Sequence, residues 1–215
     1  MSNLPFLSKL SEKAVVDQVC DFACLHRLFP VSQSSYGPGN STETALLKVK
    51  SDILRSIDRY ELTLLILLDL STAFDTVDHG LLLQVLENDF GLFEDVKAWF
   101  LSYLTGRQQK VQIKSSMSHA SDLTCSVTQG ICIGPVLFIM YISKLFRVVN
   151  KHLPSCHTYA DDTQLYLSFR PDDTDSAISA MEECISSVSC WMIHSKHKVN
   201  DAKTEFLMIG SSKML

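Results

Sequence analysis

Hydrophobic and polar positions divide the first 60 residues into two helical stretches separated by a loop. Residues 4–28 carry apolar side chains at the three- and four-residue spacing of an amphipathic helix, or of two. Residues 29–39 break this pattern with prolines, glycines and serines, which is typical of a loop. Asn40, followed three residues later by Glu43, indicates a capped helix start, and the apolar spacing then continues to about Arg59.

The next stretch, Leu62 to Leu70, is a short and almost continuous apolar run. Such a run predicts a central strand that is buried on both faces. Asp69 lies near its end, where an unpaired carboxylate is costly to desolvate. We therefore expect Asp69 to protrude into a cleft or to meet a cation or a basic side chain. The alternative is an aspartate that only caps the turn formed by Ser71 and Thr72.

The middle of the chain is predicted to contain three helices and a pair of strands. The strands are the alternating segments 108–114 and 122–127. The helices are Leu81–Leu86 capped by Asp78, Phe93–Leu104 ended by Gly106, and the buried Val136–Val149 with Pro135 in its first turn.

Residues 157–169 indicate a hairpin with acid at its tip. β-Favouring runs, one ending at Tyr159 and one spanning residues 163–169, flank the pair Asp161 and Asp162. Adjacent carboxylates repel each other and raise each other's pKa, so a cation that both can face explains the pair. A solvated acidic turn is the alternative.

A helix and a strand are predicted after the hairpin. Acidic residues at 172–175 favour a helix N-terminus, and a core-facing stripe runs from Ile178 to Trp191. The closing strand-like run, residues 203–210, begins at Lys203, which without further partners would be a solvated charge at the start of a strand.

Composition limits the classes of protein to consider. At 215 residues and 46% hydrophobic, the chain is long enough for one large domain or two small ones. We find no apolar run long enough to span a membrane and no secretory signal, so we expect an intracellular protein, nuclear or cytoplasmic, without a membrane partner. Seven cysteines without a recognised metal-binding spacing do not predict zinc, and the net charge of −5 argues against a strongly basic nucleic-acid-binding face.

Four ordered motifs resemble the reverse transcriptase domain of a LINE-type (non-LTR) retrotransposon. They are LLDLSTAFDTVDHG at 67–80, TQGICIGPVLFIMYISKL at 128–145, YADDTQLYL at 159–167, and the stretch from Trp191 to KTEFLMIG at 203–210. NLPFLSKLSEK at 3–13 and STETALLKV at 41–49 also resemble the fingers of that family.

The resemblance implies an α+β fold: a right-hand polymerase palm, in which helices back an antiparallel sheet, with partial fingers and no thumb. Residues 1–60 would form the partial fingers and residues 61–215 the palm with inserted fingers and helical segments, as one continuous domain of residues 1–215.

The same resemblance implies RNA-directed DNA polymerase activity by two-metal nucleotidyl transfer. Asp69, Asp161 and the backbone of Leu70 would hold two Mg²⁺ ions, with Asp162 beside them and Lys203 near the departing pyrophosphate. The partners would be an RNA template, a DNA primer and deoxynucleoside triphosphates.

Three further residues would contact the nucleotide substrate or the template. Phe74 matches the aromatic residue that excludes a ribose 2′-hydroxyl, and Gln129 and Gly130 match the loop that packs against the nascent base pair and the template.

Departures from the family pattern leave alternatives open. Gly37 stands where the fingers motif has an arginine, and His197 stands at an apolar position. Because the chain begins inside the fingers and ends near the last palm strand, we expect a truncated copy that holds its substrate weakly. The alternative is a catalytically inactive relic that binds nucleic acid or a protein. A two-metal nuclease fits less well, because Phe74, Gln129 and Gly130 match residues that select nucleotides.

Overall fold

The structure, a computed structural model, describes residues 6–30, 32–33, 41–71, 74–127, 132–152, 154–159, 162–200 and 203–211. Helices and short strands alternate along these ranges. In chain order they are α1 (Phe6–Leu25), α2 (Thr42–Asp58), β1 (Leu62–Leu68), β2 (Leu70–Ser71), α3 (His79–Asn88), α4 (Glu94–Leu104), β3 (Gln108–Gln109), β4 (Gln112–Ile113), β5 (Ser116–Met117), β6 (Ser121–Asp122), α5 (Gly134–Val149), β7 (Ser155–Tyr159), β8 (Asp162–Phe169), a 3₁₀ turn (Pro171–Asp173), α6 (Thr174–His194), β9 (Lys198–Val199) and β10 (Glu205–Ile209).

Contacts within the chain divide it into two compact units. The first unit comprises residues 1–28 and 74–141, and the second comprises residues 29–73 and 142–215. The division of the chain into partial fingers over residues 1–60 and a palm over residues 61–215 stays a prediction.

The second unit is organised around an antiparallel sheet of four strands in the order β10-β1-β8-β7. The apolar run of β1 lies between two strands, as predicted, and Ile66 at its centre is fully buried. Helix α2 contributes Val49 to a cluster on one face of the sheet, and α6 contributes Ala177 to a cluster on the other. Strands backed by helices confirm the predicted α+β palm fold.

The start of α2 differs from the prediction by one residue. Ser41 is the N-cap, because its Oγ accepts a hydrogen bond from the Thr44 backbone N at 3.2 Å. The Oγ1 of Thr44 in turn accepts from the Ser41 backbone N at 2.8 Å. The prediction of an Asn40 cap paired with Glu43 is therefore wrong; a serine and a threonine complete the reciprocal box instead.

The strands predicted in the middle of the chain are much shorter than expected. Residues 108–114 contain two two-residue strands, and these pair with different partners: Gln108 lies opposite Asp122, and Gln112 lies opposite Met117. The strand predicted over residues 122–127 extends only over Ser121–Asp122. Residues in all four of these strands are exposed, so their alternation buries no apolar face that could sustain a longer ladder.

The three helices predicted in the middle of the chain are confirmed. Asp78 caps α3, since its Oδ1 accepts from the Leu81 backbone N at 2.9 Å. Helix α4 buries Phe100 and Leu104, and α5 is apolar along nearly its whole length, with Phe138 fully buried. In the part of the chain that the structure describes, no helix combines the length and the apolar character needed to cross a membrane.

Candidate active site

The candidate site lies where β1 ends. Leu67 is paired with Gln164 on β8 and with Glu205 on β10. Continuing both registers by two residues brings Asp69 level with Asp162 on one side and with Lys203 on the other. Asp162 and Lys203 both line the same pocket as Asp69, so the three charged side chains form one row at this end of the sheet.

This row opens into a pocket of about 510 Å³ within the second unit. Its lining residues are Leu67, Leu68, Asp69, Asp162, Thr163, Gln164, Lys203 and Glu205. The Nζ of Lys203 lies 3.5 Å from the Oδ2 of Asp69, which confirms the expectation that Asp69 meets a cleft and a basic side chain. Since the lysine side chain is 69% exposed, solvent screens this ion pair, and it contributes little to folding stability.

Asn200 makes two contacts with Asp69. Its Nδ2 donates to the Oδ2 of Asp69 at 3.0 Å, and its backbone N donates to the carbonyl oxygen of Asp69, also at 3.0 Å. No role for Asn200 follows from the sequence alone. Its position three residues before Lys203 is the signal that could have identified it.

The predicted hairpin is confirmed, and it brings Asp162 to the site. Strands β7 and β8 are antiparallel, with Tyr159 opposite Asp162 as the last pair before the tip. Asp162 lines the pocket together with Asp69. Asp161 lies outside the described residues, so its assignment as a metal ligand stays a prediction.

The remaining predicted site residues fall elsewhere or outside the described ranges. Leu70 pairs with Val199 in the short β2–β9 ladder. Phe74 belongs to the first unit, where its ring centroid lies 4.8 Å from that of Phe138. Gln129 and Gly130 lie outside the described residues, and the roles predicted for these residues stay predictions.

The charge at the pocket favours a cation. Its lining contains three carboxylates, those of Asp69, Asp162 and Glu205, against the single ammonium of Lys203, for a formal charge of −2. Carboxylate oxygens are the ligands that Mg²⁺ prefers. Within the described ranges no three His, Cys, Asp or Glu residues form a metal-binding group. Two aspartates in one acidic pocket nevertheless fit a divalent cation by the chemistry of their donors.

Two buried histidines in the same unit are held neutral. Burial lowers the pKa of His197 to about 4. Burial also lowers the pKa of His157, and the nearby Lys48 acts in the same direction. His157 lies on β7 opposite Gln164, one of the residues that line the pocket. Neither imidazole therefore adds positive charge at neutral pH.

Tyr166 is also held in its neutral form. Its hydroxyl donates a hydrogen bond to Asp52 Oδ2 at 2.8 Å. Burial is the larger cause of its raised pKa, and this hydrogen bond is the second.

The chain is similar to known proteins over nearly its whole length. The family model described as "Reverse transcriptase (RNA-dependent DNA polymerase)" matches residues 1–214. In Drosophila melanogaster, the probable RNA-directed DNA polymerase from transposon BS is 27% identical over 95% of this chain, and that from transposon X-element is 30% identical over 95%. The chain spans only 23% and 22% of the lengths of these two relatives.

Solved structures show the same fold at low sequence identity. Apo telomerase from Candida tropicalis aligns with 94% of this chain at a TM-score of 0.65 and 15% identity, with 37% of the telomerase chain covered. Telomerase from Candida albicans, in complex with a fragment of telomeric RNA, aligns with 96% of this chain at a TM-score of 0.64 and 12% identity, with 35% of that chain covered. With the family match over nearly every residue, these similarities show that the chain belongs to the reverse transcriptase family, and its relatives are the polymerases of non-LTR retrotransposons.

Proposed function

We propose that this domain adds deoxynucleotides to a DNA primer on an RNA template, inside the cell. The observation that carries the proposal is the row of Asp69, Asp162 and Lys203 in one acidic pocket, formed where three neighbouring strands meet. The names of the matched transposon relatives, RNA-directed DNA polymerases, support the same activity.

Divalent metal ions are used generally by reverse transcriptases. In this chain Asp69, Asp161 and the backbone of Leu70 would hold two Mg²⁺ ions, with Asp162 beside them. When bound, such ions activate the primer hydroxyl as a nucleophile and offset the negative charge of the triphosphate.

Lys203 supplies a positive charge next to the carboxylates. Its Nζ is 3.5 Å from Asp69 and its side chain is largely exposed, so it can move towards a substrate that enters the pocket. A lysine in this position can donate a proton to the departing pyrophosphate or offset its charge.

Nucleotide selection is proposed for residues outside this row, on their resemblance to the family. Phe74 would exclude the 2′-hydroxyl of a ribonucleotide by steric conflict, and Gln129 and Gly130 would pack against the new base pair.

Primer extension by the purified chain, with an RNA template and Mg²⁺, tests the proposal. Asp69→Asn keeps the size of the side chain but removes its charge, and we expect extension to fall about 100- to 1,000-fold. Asp58→Asn is the matched control, because Asp58 ends α2, is exposed and does not line the pocket, and we expect it to extend primers like the unmodified chain.

Two results would overturn the proposal. Equal extension by the unmodified chain and by Asp69→Asn would identify a contaminating polymerase. Absence of product at protein concentrations above that of the primer would rule out polymerase activity. The noncatalytic binding module would then be the remaining alternative. Binding of a labelled RNA–DNA duplex that does not change in Asp69→Asn would then support that alternative.

A further inference from the structure

We infer that Asn200 is a positioning residue that holds Asp69 and Lys203 in their relative places. This inference rests on the polymerase function proposed above, because it assigns Asn200 a part in the same site.

On one side, Asn200 is bonded to Asp69. Strands β2 and β9 pair Leu70 with Val199, so the next position of the same register sets Asp69 opposite Asn200. The backbone N of Asn200 donates to the Asp69 carbonyl and its side-chain amide donates to the Asp69 carboxylate, each at 3.0 Å. The two bonds fix the backbone of the aspartate and the rotation of its carboxylate together.

On the other side, Asn200 is bonded to Lys203. The carbonyl oxygen of Asn200 accepts from the Lys203 backbone N at 3.0 Å and from the Oγ1 of Thr204 at 3.0 Å. Asn200 thus bonds to Asp69 through two donors and to the start of the lysine-bearing segment through one acceptor. The lysine and the aspartate are attached to the same residue.

The two side-chain donors that contact Asp69 share one oxygen of its carboxylate. The contacts made by Asn200 Nδ2 and Lys203 Nζ both fall on Oδ2. A cation can therefore bind through Oδ1 without displacing either described donor. Without the amide of Asn200, the carboxylate can rotate, and Lys203 becomes a competitor for the oxygen that the cation would use.

The variant Asn200→Ala removes the amide donor but keeps the backbone contacts. We expect the kcat of primer extension to fall about 10- to 100-fold, the range for loss of a hydrogen bond to a charged group, with KM for the nucleotide within about twofold. Asn200→Asp keeps the size and turn preference of the side chain but sets an acceptor against a carboxylate, and we expect at least as large a fall. The matched controls are Asn150→Ala and Asn150→Asp, since Asn150 is exposed beyond the end of α5.

Thermal unfolding, followed by circular dichroism, separates positioning from folding. A purely structural role of Asn200 predicts that Asn200→Asp, which retains the turn, keeps the kcat of the unmodified chain. That result would overturn the inference, as would a loss of activity in Asn200→Ala that is fully explained by its unfolded fraction.

Binding of Mn²⁺, measured by calorimetry, gives an answer that does not depend on catalysis. We expect Asn200→Ala to bind Mn²⁺ about tenfold more weakly than the unmodified chain and Asn150→Ala to bind it equally. If the unmodified chain extends no primer, the polymerase function fails while this difference still supports positioning by Asn200. Equal behaviour of Asn200→Ala and the unmodified chain, including no binding by either, would overturn the inference.

Discussion

Replacing His197 with leucine is expected to make the fold more resistant to acid. His197 follows α6 and is 4% exposed, and burial lowers its pKa from 6.5 to about 4. Between pH 6.5 and about pH 4, His197 binds a proton in the unfolded chain but not in the folded chain. Stability therefore falls as the pH drops from about 6.5 towards 4, and leucine removes this contribution because it has no group to protonate.

The size of the effect follows from the two pKa values. At pH 5 a histidine with the ordinary pKa of 6.5 is almost fully protonated, whereas one with a pKa of about 4 is mostly neutral. Linkage converts this difference to ~2 kcal/mol of stability lost by the histidine-containing chain between pH 8 and pH 5. At pH 8 the histidine is neutral in both the folded and the unfolded chain. The free energies of unfolding of the unmodified chain and of His197→Leu then differ only through side-chain packing.

Urea unfolding at pH 8 and at pH 5 measures the effect. The stability of His197→Leu relative to the unmodified chain is expected to rise by ~2 kcal/mol on going from pH 8 to pH 5. His119→Gln, which changes an exposed histidine, is the matched control in the same measurement. A stability difference for His197→Leu that does not change with pH would show that the folded chain accepts the proton and would refute the reasoning.

Two further pairs of substitutions, each a test and its control, probe the structure within each unit. In the second unit, Ile66→Ala should lower the free energy of unfolding by about 2–5 kcal/mol, because Ile66 is fully buried, whereas Phe206→Ala on the neighbouring strand, at a side chain 61% exposed, should cost less than about 1 kcal/mol. Similar losses in urea unfolding would contradict the assignment of the core. In the first unit, Asp78→Ala should lower the free energy of unfolding by about 0.5–2 kcal/mol, because it removes the N-cap of α3. Asp75 is exposed, and Asp75→Ala should change the free energy of unfolding by less than about 0.5 kcal/mol. Equal effects of the two substitutions in urea unfolding would argue against the cap.

Elements that bury a continuous apolar pattern could be predicted from the sequence. The run that forms β1 could only be accommodated between other strands, and the stripes of α4 and α5 required a core to face. The lengths of the strands within residues 108–122 could not be predicted, because all of these strands are exposed. Alternation of apolar and polar side chains there does not correspond to a buried and an exposed face. The first residue of α2 depended on which of several adjacent polar side chains reached the helix backbone.

The candidate site was predictable in part for a related reason. An aspartate at the end of a buried strand needs a partner, so Asp69 could be singled out before its partner was known. Its neighbours depend on strand order and register, which no local pattern specifies: Lys203 lies 134 positions further along the chain. Asn200 escaped prediction because an asparagine beside a short strand is compatible with an ordinary turn.

Asp69 occupies the one position where its strand changes partners. The chain pairs with β10 up to Leu67 and with β8 up to Leu68, and from Leu70 it pairs with β9. A residue between two ladders belongs to neither, so its side chain can reach into the pocket, but its backbone lacks the support that a continuous ladder gives. The hydrogen bond from the Asn200 backbone to the Asp69 carbonyl supplies that support, and the amide of Asn200 restrains the carboxylate. The break in the sheet therefore exposes the acid, and Asn200 keeps the exposed acid in place.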